Sequence, residues 1–118
     1  MNTNIEEFNM YRLKMNEKIL AANDKTIKRM FNADTNAFLD GALDTKTKEL
    51  MGLLASMVLR CDDCIRYHLI KCFENGVTND ELYETFGIAN LIGGTIVIPH
   101  IRRAVEFWEE IISENNKS

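Results

Sequence analysis

Apolar residues recur every three or four positions along most of this chain, the spacing that lines one face of an α-helix. In the first segment Ile5, Phe8, Tyr11, Met15, Ile19 and Ala22 follow it. Asp24 suits the N-cap of a second helix carrying Ile27, Met30, Phe31 and Phe38, with "NADT" at 32–35 as an expected interruption. Gly41 breaks the chain, and Asp44 can cap a third helix whose apolar residues are Leu50, Leu53, Leu54, Met57 and Val58. A fourth helix should start near Cys61 and end at "ENG", where Gly76 can take the left-handed conformation of a C′ residue. The fifth has the clearest start signal: Thr78 and Glu81 have capping-box spacing, and Val77 and Leu82 flank them as a hydrophobic staple. Gly93 and Gly94 end it, and a last helix covers Arg102 to about Ser113.

One stretch departs from this rhythm. "TIVIP" at 95–99 is β-branched and reads locally as a short strand. Pro99 removes a hydrogen bond from any helix interior. No other segment offers a strand to pair with, so the expectation is a kinked helix start. The pattern therefore predicts an all-α, single-domain bundle of about six helices over residues 1–118. It divides into N-terminal helices at 1–40, a core region at 44–94 and a C-terminal helix at 100–114.

Composition changes the picture mainly by exclusion. The chain has 118 residues, 46% apolar and 27% charged, an ordinary globular balance for one core. A formal net charge of −4 argues against nucleic acid or an anionic membrane surface as the partner. The longest apolar run, "LMGLLASMVL" at 50–59, is too short to cross a bilayer. The segment "MNTNIEEFNMYRLK" lacks the basic and apolar regions of a secretory leader, so a cytoplasmic location is expected. Three cysteines do not suit a secreted disulfide scaffold.

The chemistry concentrates in "RCDDCIRYH" at 60–68. On a helix, at about 100° per residue, Cys61, Cys64 and His68 fall within roughly 60° of one another. The cysteines also lie at the helix start, where exposed N–H groups and the macrodipole favour a thiolate. His68, one turn beyond Cys64, is placed to take its proton or pair with its thiolate. Asp62 and Asp63 act the other way, because adjacent carboxylates raise a thiol pKa.

Two other readings use the same residues. Zinc would take Cys61, Cys64 and His68 with Glu49 or Cys72, yet zinc modules normally pair CxxC with a second, distant Cys/His pair that this chain lacks. Plain buried cysteines are the other. Haem attachment needs His directly after the second cysteine, where Ile65 stands. Cys72 lies roughly 12 Å along the helix from Cys64, beyond disulfide reach, and reads as core. Tyr67 points away from His68 and reads as a packing residue. His100 reads as an exposed loop residue, and the charges of "IRRAVEFWEEII" as a solvated face with Trp108 in the core or at a subunit contact.

Residues 48–84, "KELMGLLASMVLRCDDCIRYHLIKCFENGVTNDELYE", resemble the carboxymuconolactone decarboxylase family and, within it, the alkyl hydroperoxide reductase D (AhpD)-like branch. The mark of that branch is Glu, then Cys-X-X-Cys beginning twelve residues later, then His four beyond the second Cys; here these are Glu49, Cys61, Cys64 and His68. "GGTIVIPHIRRA" also resembles the family's segment before its last helix, and the likeness covers roughly residues 38–112. The resemblance implies an all-α fold assembled as trimers or multiples of them. It implies that Cys64 attacks a peroxide or disulfide, that Cys61 resolves the product to a disulfide, and that His68 and Glu49 relay the proton. Well-known members carry a second His directly before the second cysteine; Asp63 stands here, and an ionised carboxylate cannot donate a hydrogen bond to a thiolate. The parent decarboxylases generally lack the Cys pair.

Taken together, these readings give a cytoplasmic, homo-oligomeric (trimer or hexamer) thiol–disulfide oxidoreductase with possible peroxidase activity, the catalytic residues being Cys64, Cys61, His68 and Glu49. The substrate is a hydroperoxide or disulfide, with an unidentified reductant. No cofactor or metal is needed, because the cysteines carry the electrons. The alternatives are a zinc-binding structural module, or a non-catalytic family member in which Asp63 has cost peroxidase efficiency. Oligomerisation also has a physical argument: a chain this short buries a limited share of its surface alone, and its helices carry more apolar residues than one stripe needs.

Overall fold

A computed structural model describes residues 3–116. Among them are six α-helices and one short 3-10 turn, with no strand. The helices are α1 (Asn4–Ala21), α2 (Lys25–Ala37), α3 (Thr45–Val58), α4 (Asp62–Glu74), α5 (Asn79–Gly93) and α6 (Ile98–Asn115). The chain divides into two compact units, Met1–Leu39 and Asp40–Ser118.

The first unit holds α1 and α2. Thr3 caps α1 through a capping box with Glu6, and Asp24 caps α2 by accepting from the Ile27 N–H. The interruption expected at 32–35 does not occur. α2 runs through it, and the Thr35 hydroxyl donates to the Phe31 carbonyl one turn back. The helix ends instead at Phe38, its C-cap. Of the described residues in this unit only Ile5 is buried; Met10, Tyr11, Leu13 and Met30 are exposed.

The second unit carries the core. α3 packs on α4 and α5, and α4 packs on α6. Their facing sides bury Leu53, Met57, Ile65, Leu69, Leu82 and Phe86 almost completely. Each such side chain contributes about 1.5–3 kcal/mol relative to an exposed one. Trp108 on α6 is also buried; its ring meets Phe73 edge-on, and its indole N–H donates to Asn79 Oδ1 at 2.7 Å.

Local signals set the boundaries. Asp44 caps α3 by accepting from the Thr47 N–H. The Thr78–Glu81 capping box forms at the start of α5, with Val77 and Leu82 both buried beside it. Gly76 follows α4 with φ +79°, the left-handed conformation that only glycine adopts cheaply. The "TIVIP" stretch is a 3-10 turn at Thr95–Val97 leading straight into α6, so the last helix begins earlier than the pattern suggested. Pro99 lies in its first turn, where an N–H has no helical partner to lose. Gly93 is needed just before this turn, since a Cβ there would stand 2.5 Å from Val97 Cγ2.

Candidate active site

Cys61 is the N-cap of α4, and its Sγ accepts from the Cys64 backbone N–H at 3.2 Å. The two cysteines are joined as a disulfide with their Cα atoms 5.3 Å apart. Cys64 lies on the exposed surface of the first turn and Cys61 is half-buried. The bridge therefore caps a helix N-terminus, where the macrodipole would favour the thiolate that opening releases.

His68 follows one turn later on α4. Its Nδ1 lies 2.7 Å from Glu49 Oε1 on α3. Glu49 is buried, with its side chain 4% exposed, and His68 is nearly so at 12%. A carboxylate so withdrawn from water needs a hydrogen-bonding partner, and the imidazole N–H supplies it. The contact fixes the tautomer with the proton on Nδ1 and sets the orientation of the ring. The pairing of α3 with α4 thus joins two residues nineteen positions apart.

A glycine makes room for the ring. A Cβ at Gly52, one turn after Glu49 on α3, would stand 2.6 Å from His68 Cε1 and 2.9 Å from both ring nitrogens. Tyr67 packs edge-on against the same imidazole, its ring centroid 5.2 Å away. It was expected to point elsewhere; the helix sends the two side chains apart at Cβ, yet both rings are long enough to meet.

Cys72 is fully buried. Desolvation, with the Glu49 charge adding to it, pushes its thiol up to about 12. It remains a protonated core residue at neutral pH. Among the described residues no group of three His, Cys, Asp or Glu side chains is arranged to hold a metal ion.

A second set of polar residues meets the cysteine turn from α6. His100 Nδ1 lies 2.7 Å from Asp62 Oδ1, and Arg103 Nε donates to Asp62 Oδ2 at 3.1 Å. Asp62 is the residue directly after Cys61. Desolvation pushes its carboxyl up, but the hydrogen bond from His100 and the Arg103 charge outweigh it and hold the group below the usual carboxylate range. Against expectation, His100 is not an exposed loop residue. It sits in the first turn of α6 with its side chain 14% exposed. Arg103, expected on a solvated face, is half exposed and ion-paired.

Of the four residues named from the sequence, the structure joins Glu49 to His68 and Cys61 to Cys64; the sequence showed Asp62 only as a charge beside the thiols, and gave no role to Gly52 or Arg103. A signal existed for Gly52, since a glycine inside a helix costs about 1 kcal/mol against alanine and asks for a reason. The Asp62 cluster joins residues 38 and 41 positions apart across a helix pairing, for which the sequence held no spacing rule.

The pattern that defines the carboxymuconolactone decarboxylase family matches residues 24–107. A crystal structure from Thermotoga maritima, described as a protein of that family with a suggested involvement in antioxidative response, superposes with a TM-score of 0.88 at 49% identity. The match covers 95% of this chain and 97% of that one. A family protein from Legionella pneumophila superposes with a TM-score of 0.71 at 28% identity, over 88% and 96% of the two chains. The 4-carboxymuconolactone decarboxylase of Acinetobacter baylyi is 33% identical over 72 residues, 61% of this chain. That alignment spans about half of the decarboxylase, 52% of its length. On its sequence and its fold alike, this chain belongs to the carboxymuconolactone decarboxylase family.

Proposed function

We propose that this protein is a thiol–disulfide oxidoreductase of the AhpD-like branch that reduces an organic hydroperoxide or a disulfide. The observation that carries the reading is the His68–Glu49 pair, in which Glu49 of α3 meets at 2.7 Å the histidine of the helix that Cys61 and Cys64 open. A base oriented by a buried carboxylate, one turn from a thiol, is the arrangement that activates a nucleophile. The suggested antioxidative role of the Thermotoga relative accords with it.

In the reduced enzyme Cys64 is the attacking thiol. His68 takes its proton at Nε2, while Glu49 steadies the imidazolium through Nδ1. The thiolate attacks the terminal peroxide oxygen; the O–O bond breaks, Cys64 becomes a sulfenic acid, and the alcohol leaves with the proton from His68. The Cys61 thiol then displaces water from the sulfenic acid, and the disulfide forms. A dithiol reductant restores both thiols by exchange, giving up two electrons and two protons. Cys72, buried and protonated, takes no part. The protein works in the cytoplasm as a homo-oligomer. Leu59, Ile88, Leu91, Ile92 and Ile96 lie exposed on the second unit, and burial against further copies would remove that apolar surface from water.

Reduced protein, freed of reductant and given limiting organic hydroperoxide, should lose two hydrogens per chain as the peroxide disappears. The loss should map to Cys61 and Cys64 and vanish in Cys64→Ser. His68→Gln should slow peroxide consumption by about 10²-fold, as loss of a general base does. A bridge that forms with a disulfide donor but not with peroxide narrows the activity to disulfide exchange. If neither oxidant closes it, the redox reading is wrong.

A further inference from the structure

We propose that His100 and Arg103, on the first turns of α6, are positioning residues for the Cys61–Cys64 pair and act through Asp62. This rests on the reading that the two cysteines cycle between dithiol and disulfide, but not on which oxidant closes the bridge.

The geometry is specific. Asp62 is the first residue of α4, and it lies inside the CxxC sequence itself. Both of its carboxylate oxygens are engaged from α6, Oδ1 by His100 at 2.7 Å and Oδ2 by Arg103 at 3.1 Å. A carboxylate held at both oxygens has a fixed direction as well as a neighbouring positive charge. Arg103 Nη2 also stands 3.3 Å from His100 Nδ1, but with the Nδ1 proton given to Asp62 this is a close approach, and Asp62 is what joins the three side chains.

The consequence falls on the thiols. Other charges near the turn are Arg60 and Asp63 on its own segment, His68 one turn on, and Glu49 reaching His68 from α3. When the bridge opens, a thiolate forms at a helix start that also carries two carboxylates. An uncompensated carboxylate beside a thiol repels the thiolate and lowers its population. The Asp62 charge, unlike that of Asp63, is directed toward α6 and opposed by a guanidinium. One of the two carboxylates at the helix start is thereby offset, and of that pair the helix dipole and His68 face Asp63 alone. The same contacts fasten the cysteine turn to α6, so Cys61 keeps its place as the N-cap when the disulfide no longer constrains it.

Reactivity of the reduced pair tests this without any turnover. The full chain is reduced, freed of reductant, and treated with iodoacetamide from pH 5 to pH 10, with labelling at each cysteine read by mass. Arg103→Gln and His100→Ala should each slow labelling of the pair at pH 7 by about threefold and move the pH midpoint upward, the change that about half a pKa unit brings. Arg103→Lys, which keeps the charge, should restore most of the rate. In an Asp62→Asn background, where no carboxylate remains to release, Arg103→Gln should change the rate by less than about 1.5-fold. An equal drop in both backgrounds, or no drop in either, overturns the proposal. Thermal melts run in parallel. If the α6 variants do not fold, Asp62→Asn alone decides: labelling as fast as or faster than in the parent supports the charge argument, and slower labelling refutes it. Failure of this test leaves peroxide-driven bridge formation untouched, so the two readings fail separately.

Discussion

At Gly52 a missing side chain does the positioning. The His68 ring occupies the space where a Cβ would be, pinned from one side by Glu49 and from another by Tyr67. Gly52→Ala would gain about 1 kcal/mol in helix propensity and lose about 1–3 kcal/mol to overpacking. The net is a loss of up to about 2 kcal/mol, and the ring must leave its place beside Glu49. Peroxide- or disulfide-driven bridge formation should fall by at least about tenfold, with the melting temperature lowered by no more than about 10 °C. An unchanged rate would show that the ring can move without cost. Glu49 and His68 themselves were legible from spacing and resemblance. The need for Gly52 was not, because a ring reaching across from another helix leaves no periodic trace in the chain.

Among the elements, α5 shows how far local chemistry goes. Thr78 accepts from the Glu81 N–H, and Glu81 reaches back to the Thr78 N–H at 2.9 Å. Glu81 also meets Lys46 of α3 at 2.9 Å. Backbone hydrogen bonding, with Lys46 beside it, holds the Glu81 carboxyl below its usual range. A depressed carboxylate contributes stability that is present above its unfolded pKa and lost as pH falls through the folded value. Thr78→Ala should cost about 1 kcal/mol in a denaturant or thermal melt at neutral pH. Its deficit against the parent should persist at acid pH, because the bond it loses, from the Glu81 N–H to the Thr78 hydroxyl, does not titrate, while parent and variant alike lose the contribution of the Glu81 carboxylate. The cap and staple were readable because every participant lies within five residues. The 3-10 turn at Thr95–Val97 was harder: β-branched residues favour a strand locally, and the lack of any partner strand overrides that preference.

For the molecule as a whole, the distribution of apolar surface is the informative feature. Leu91 is 83% exposed and Ile92 64%, on a helix whose opposite side is fully buried. Scattered exposed leucines are ordinary, but Ile88, Leu91 and Ile92 share one face of α5 by helical spacing, and Ile96 follows in the 3-10 turn. Leu91→Glu would place a charge in the contact between copies proposed above while leaving the core of the unit alone. Light scattering with size exclusion should show the parent as an oligomer and the variant as a smaller species, with the same helical circular dichroism. A parent that runs as a monomer would refute assembly. Among the described residues no helix is long and apolar enough to cross a membrane.

The sequence by itself determined the helices, their caps and the grouping of cysteines and histidine on one of them. These depend on residues within about one or two turns of each other, so period, capping chemistry and spacing record them directly. What only the tertiary structure decided lies across helix pairings. The docking of α3 on α4 brings Glu49 to His68 and makes Gly52 a requirement. The docking of α6 on α4 turns Asp62 from a nearby repelling charge into a held partner of His100 and Arg103. A side chain's meaning at such a junction is set by what faces it, and helical periodicity names the buried face of an element without naming the residue opposite.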